Sequence, residues 1–120
     1  MTIFETKIPD LFVIEPKIFK DERGFFYEVF QKERYKEILG IKLDFVQDNF
    51  SYSTEGVLRG LHYQIKKPQG KLINVLEGSI FDVAVDIRKD SSTFGQWFGL
   101  VLSDKNNKQL WLPPGMAHGF

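Results

Sequence analysis

The chain contains no cysteine. Disulfides, thiol chemistry and thiolate metal sites are excluded together, and the composition fits a cytoplasmic protein. Neither charge sign is in excess, since 16 Lys and Arg balance 16 Asp and Glu. There is thus no electrostatic footprint for nucleic acid or for an acidic membrane surface. No window approaches the roughly 18 apolar residues of a membrane-spanning helix. The opening MTIFETKIPDLF lacks the basic start and apolar run of a secretory signal. Internal repeats and low-complexity tracts are absent. Histidine is scarce, with His62 and His118 the only two.

What is present is a β pattern. The 120 residues suit a single domain spanning 1–120, and a chain of that size buries roughly two-thirds of its unfolded surface. Twelve phenylalanines suit a β-rich core or a cavity walled by flat rings. IPDLFVIEPKIFKDERGFFYEVF has short apolar runs broken by Pro9, Pro16 and the turn-like Asp21–Gly24, which predicts two or three strands. QKERYKEILG predicts the one helix, stopped by Gly40. From Ile41 the pattern returns to strands. In LDFVQDNFSYS, Phe45, Gln47, Asn49 and Ser51 share a side. KLINVLEGSIFDVAVDIR reads as a hairpin turning at Gly78, with Phe81, Val83, Val85 and Ile87 opposite Asp82, Ala84 and Asp86. QWFGLVLS and KQLWLPPGMAHGF continue the series. Many short strands and one helix predict an antiparallel sandwich or barrel of the all-β class.

Some polar residues fit this pattern poorly. In VLRGLHYQ, Arg59 and His62 are three apart, so strict alternation sends one of them to the solvent side. A bulge at Gly60 would reset the alternation and bring both to one face. The residues alone leave both arrangements open, and a strand histidine also has an ordinary structural reading. Lys71 shares parity with Ile73 and Val75, or is a solvated lysine at a strand end. Pro113, Pro114 and Gly115 make a rigid turn before His118, whose neighbours Ala117 and Gly119 are small enough to allow close approach. A metal site needs at least three protein ligands, and the His-x-His spacing of metal-binding barrels is missing because Tyr63 and Gln64 follow His62.

GVLRGLHYQ, GKLINVLEGSIFDVAVDIRKDSSTFGQWFG and LWLPPGMAHGF closely resemble the dTDP-4-dehydrorhamnose 3,5-epimerase family, as do DERGFFYEVF and FVQDNFS. The resemblance implies a cupin-type jelly-roll barrel without metal or other cofactor. It implies proton removal beside the ketone of a dTDP-linked 4-keto-6-deoxy sugar, with return on the opposite face at the third and fifth carbons, on the route to L-rhamnose. By this resemblance His62 is the base, Lys71 stabilises the enolate oxygen and contacts substrate, and Arg59 takes the diphosphate. His118 is a substrate contact, and Gln47 and Asn49 contact the nucleotide. Arg23 and Glu28 match residues lent by a neighbouring subunit in a homodimer that exchanges N-terminal strands. If these roles transfer, Arg59 and His62 both face a barrel interior shielded from bulk solvent.

Family members continue past the position of Phe120. Their continuation carries the tyrosine acid, the aspartate paired with the catalytic histidine and the last barrel strands. Tyr27, Tyr35, Tyr52 and Tyr63 do not match that acid's position. The same residues also suit a related keto-sugar isomerase or single-centre epimerase, or a non-catalytic sugar-nucleotide binding module.

Overall fold

The computed structural model describes residues 1–120. In chain order the elements are β1 (Thr2–Glu5), β2 (Phe12–Glu15), β3 (Phe19–Asp21), β4 (Gly24–Phe26), α1 (Lys32–Leu39), β5 (Lys71–Ile73), β6 (Ser79–Asp86), β7 (Trp97–Ser103), β8 (Gln109–Leu112) and β9 (Met116–Gly119). Two antiparallel sheets face each other, ordered β1-β2-β8-β5 and β7-β6-β9, while β3 and β4 form a separate hairpin. The chain is thus nearly all-β with one short helix, and no helix is long and apolar enough to cross a membrane.

The centre of the first sheet, β2 and β8, is buried on both faces, while β1 at its edge is largely exposed. Along β8, Leu110 and Leu112 join Val13, Ala84, Leu102 and Met116 between the sheets, whereas Trp111 turns to the other side. There α1 lays Tyr35 and Leu39, four residues apart, against Ile14 and Trp111. Gln31 starts the helix by accepting a hydrogen bond from the Arg34 amide at 2.6 Å, and Gly40 ends it at φ +65°. Burial on both faces explains why QLWL is uniformly hydrophobic around Gln109. That glutamine is satisfied by Tyr35, Asn74 and the Val29 carbonyl.

Two expectations fail. KLINVLEGSIFDVAVDIR is not a hairpin: β5 pairs with β8 and β6 with β7 and β9, so the two runs lie in different sheets. Gly78 does take a positive φ of 82°, but the turn carries the chain across the sandwich. The strands expected from Ile41 onward are also missing, because no ladder forms before Lys71. Alternation makes a strand only where a neighbouring edge accepts its hydrogen bonds. Here the run meets the β9 edge at two places only. Val46, Leu58 and Ile65, exposed by 91%, 83% and 85%, show that it buries no face of its own.

The alternation along β6 is present, and its buried side is the one bearing aspartates: Asp82, Ala84 and Asp86 are each 0% exposed. Asp86 accepts hydrogen bonds from the Arg88 amide and guanidinium, from Ser91 Oγ at 2.5 Å and from Thr93 Oγ1 at 2.6 Å. Burial alone would raise its carboxyl's pKa. Those donors reverse the effect and hold it well below the usual carboxylate range. A depressed folded-state value contributes stability above the unfolded value near ~3.9 and loses it as pH falls. The stability gap between the wild type and Asp86→Asn should therefore be constant above about pH 5 and narrow steadily below about pH 4. Urea unfolding across that range measures it.

Candidate active site

Gly60 decides where the unusual polar residues lie. Arg59 and Phe120 exchange both backbone hydrogen bonds, at 2.7 and 2.8 Å, and His62 and His118 do the same at 2.8 and 2.9 Å. Between those pairs stand Gly60 and Leu61 on one strand and Gly119 alone on the other. Two residues against one is a β-bulge. Directly opposed residues project to the same face, so Arg59 goes with Phe120 and His62 with His118. Phe120 and His118 are two apart and share a face themselves. The bulge therefore puts Arg59 and His62 on one side despite their odd spacing.

That side faces the other sheet. His118 opposes Ala84 across β6, and Ala84 belongs to the core between the sheets. From the facing sheet, Lys71 opposes Leu112, another residue of that core. His62 and Lys71 thus approach one another from opposite layers. They line a common cavity of about 180 Å³, walled also by Tyr63, Gln64, Ile87, Gly115 and Met116. A larger hollow of about 220 Å³ lies beyond the C-terminal end of α1, against Trp111, Pro113 and Pro114. Its only charged groups are Asp10 and Lys42, and it holds no imidazole, so the smaller cavity is the candidate site.

Across the backbone bridge from His62, His118 is 5% exposed and forms no part of the cavity wall; its Nε2 lies 2.9 and 3.0 Å from the two oxygens of Asp82. A carboxylate can only accept, so Nε2 carries the hydrogen and Nδ1 is the nitrogen left to accept from a ligand. Asp82 is the residue the sequence reading missed. Its alternation with Ala84 and Asp86 was a usable signal, but its partner lies 36 positions away.

The other expected residues do not converge on the cavity. Arg59 donates to Ser53 Oγ at 2.9 Å and to the Tyr52 carbonyl at 3.1 Å, on the exposed run beside it. Gln47 donates to Asn49 Oδ1 at 2.9 Å, so these two do share a side, although no strand holds them. Arg23 is paired with Asp21 at 2.6 Å in the β3–β4 turn. Glu28 receives two hydrogen bonds from Arg34, whose guanidinium holds the Glu28 carboxyl below its usual range. The shielded interior expected around Arg59 and His62 is not found. Both are exposed, because nothing within these residues packs over the open side of the sandwich. No three His, Asp or Glu side chains gather closely enough to hold a metal ion.

The architecture and site define a class: a two-sheet β fold of jelly-roll type with an imidazole and an ammonium facing one cavity, suited to moving a proton beside an anionic oxygen. The model of the family dTDP-4-dehydrorhamnose 3,5-epimerase matches residues 5–120. The enzyme of that name from Shigella flexneri is 57% identical over 121 aligned residues, covering all of this chain and 67% of the relative. The Salmonella typhimurium enzyme is 54% identical, with 66% of its length covered. Among solved structures, the Legionella pneumophila 3,5-epimerase in complex with dTDP-4-keto-L-rhamnose aligns with a TM-score of 0.96 at 63% identity, covering 99% of this chain and 63% of that one. ChmJ from Streptomyces bikiniensis, a 3'-monoepimerase in complex with dTDP-quinovose, aligns with a TM-score of 0.86 at 31% identity, covering 96% and 59%. This chain belongs to the dTDP-4-dehydrorhamnose 3,5-epimerase family. It spans about two thirds of the length of these relatives.

Proposed function

We propose that this protein converts dTDP-4-dehydro-6-deoxy-D-glucose to dTDP-4-dehydro-L-rhamnose by inverting the third and fifth sugar carbons, in dTDP-L-rhamnose biosynthesis in the cytoplasm. One observation carries the reading: the bulge at Gly60 and the register of β5 bring His62 and Lys71 from opposite sheets into one cavity. His62 takes the proton from the carbon next to the ketone, leaving the electron pair as an enolate on the ketone oxygen. The Lys71 ammonium stabilises that oxygen. A proton then returns to the same carbon from the other face of the ring, and the histidine's proton is released. His118, with Nε2 held by Asp82, reaches substrate only through Nδ1.

A cavity of about 180 Å³ suits one sugar ring; whole small-molecule sites run from roughly 300 Å³ upward. The diphosphate and nucleoside then lie outside it, over the exposed run bearing Arg59, Gln47 and Asn49. Arg59 is suited to the diphosphate by its forked, permanent charge. Arg23 and Glu28, which do not line the cavity on this chain, act on the partner's substrate in a homodimer with exchanged N-terminal strands.

The test is proton NMR of the 4-keto sugar nucleotide in heavy water with the full-length protein. Loss of both ring proton signals with appearance of the L-lyxo product is expected. Exchange and inversion at one carbon only would move the assignment to a single-centre epimerase such as ChmJ. A substrate that binds yet keeps every hydrogen would make the protein a binding module.

A further inference from the structure

One part of the interior, the cluster around Asp86, takes no part in the proposed proton transfer. Asp86 closes β6 opposite Met116, the first residue of β9. Its backbone is committed to the following loop, with its amide on the Gln96 carbonyl at 2.9 Å and its carbonyl accepting from Gly95 at 2.7 Å. Next to it, the Ile87 amide donates to the Gly115 carbonyl at 3.3 Å.

Arg88 ties this loop to two other segments. Besides Asp86, its guanidinium donates to Asp10 Oδ2 at 3.0 Å and to the Pro9 carbonyl at 2.9 Å. Its aliphatic stem lies on the turn before β9. A Cβ added at Gly115 would stand 2.6 Å from Arg88 Cγ, and Gly115 has φ +95°. Three loops therefore meet on one forked side chain that is itself three-quarters buried.

A buried ion pair contributes little net stability over an apolar pair of the same size. What it supplies is direction, because a planar fork against a carboxylate fixes distance and angle together. The residues so fixed, Ile87, Gly115 and Met116, are the cavity wall facing His62 and Lys71.

We infer that Asp86 and Arg88 are positioning residues, a clamp that sets the Ile87–Gly115–Met116 wall so that the sugar ring presents the correct face to His62. This rests on the epimerase reading above. A displaced wall lets the ring tilt, so that a proton removed by His62 returns more often to the face it left. Exchange with solvent then outruns inversion.

The ratio of deuterium wash-in to net inversion reports this directly. It does not depend on how much protein is folded, and it is defined whether one carbon or two react. Arg88→Lys keeps the charge and loses the fork. Ser91→Ala/Thr93→Ala keeps the ion pair and removes two donors from Asp86, so it serves if the first variant fails to fold. In the full-length protein the ratio is expected to rise at least about threefold in either variant. kcat should fall about tenfold, as small misplacements of reacting groups do, with dTDP affinity within about twofold of wild type. An unchanged ratio in a folded variant, however slow its turnover, overturns the clamp. Absence of exchange in the wild type overturns the epimerase reading instead.

Discussion

Replacing His62 with alanine in the full-length protein should cut both solvent exchange and epimerisation by about 10²–10⁴-fold, the range a general base supplies. The substitution is clean for a structural reason. The His62 side chain is exposed and donates to no other group, while its tie to β9 runs through backbone atoms that alanine retains. Removal therefore leaves no buried partner unsatisfied, and stability should stay within about 0.5 kcal/mol, as for ordinary surface changes. Affinity for dTDP should be unchanged, since a cavity of about 180 Å³ has room for one sugar ring and not for the nucleotide. Calorimetry with dTDP and NMR in heavy water separate the two quantities. Undiminished exchange in a variant that still binds dTDP would assign the base elsewhere. His118 does not allow so clean an experiment, because its loss would strand the Asp82 carboxylate, which is 0% exposed and has no other partner.

A second large effect is expected from Gly60→Ala, which adds one methyl group to a residue that takes no part in proton transfer itself. The new Cβ would lie 2.6 Å from Gly119 Cα and 2.7 Å from the His118 carbonyl oxygen, at φ +118°. Both obstructing atoms are backbone and cannot rotate away. Overpacking of this kind costs typically about 1–3 kcal/mol, and a side chain held in a sparsely populated backbone region about as much again. Residues 57–65 are exposed and bound only at the β9 edge, so the cheaper response is detachment of that run rather than global unfolding. The amides of Arg59 and His62, which donate to Phe120 and His118, should then lose their hydrogen-exchange protection. Activity should fall by about 10²-fold or more as His62 leaves its register, while the melting transition moves little. Hydrogen exchange read residue by residue checks this. Retained protection at both amides together with full activity would show that the bulge is not what positions His62.

The two sites of failure in the sequence reading have a common cause. KLINVLEGSIFDVAVDIR contains two strand-like runs and a glycine turn, and those features are all present. Whether the runs pair with each other depends on which edges other segments already occupy, and β8 takes β5 while β7 and β9 take β6. LDFVQDNFSYS has the alternation of a strand and no edge to complete it. Conversely, the cap at Gly40, the turn at Pro113–Gly115 and the opposed faces of β6 all emerge as read, because each depends on near neighbours.

The candidate site divides in the same way. His62, Lys71 and His118 were identifiable as polar residues within strand patterns, and the family likeness offered each a role. Asp82 was placed on one face with Ala84 and Asp86, but its role stays hidden until His118 is set across from it, because an aspartate in an alternating strand looks like any solvated one.

What the sequence by itself determined are the local quantities: the all-β class, one helix and its limits, the two faces of β6, and the residues able to carry proton chemistry. Only the tertiary structure decided which strands meet, that two residues oppose one at Gly60, and that the aspartate side of β6 is the buried one. The reason is physical. Side-chain periodicity and capping act over a few residues, whereas pairing and burial depend on chain segments tens of positions apart competing for the same edges and the same interior.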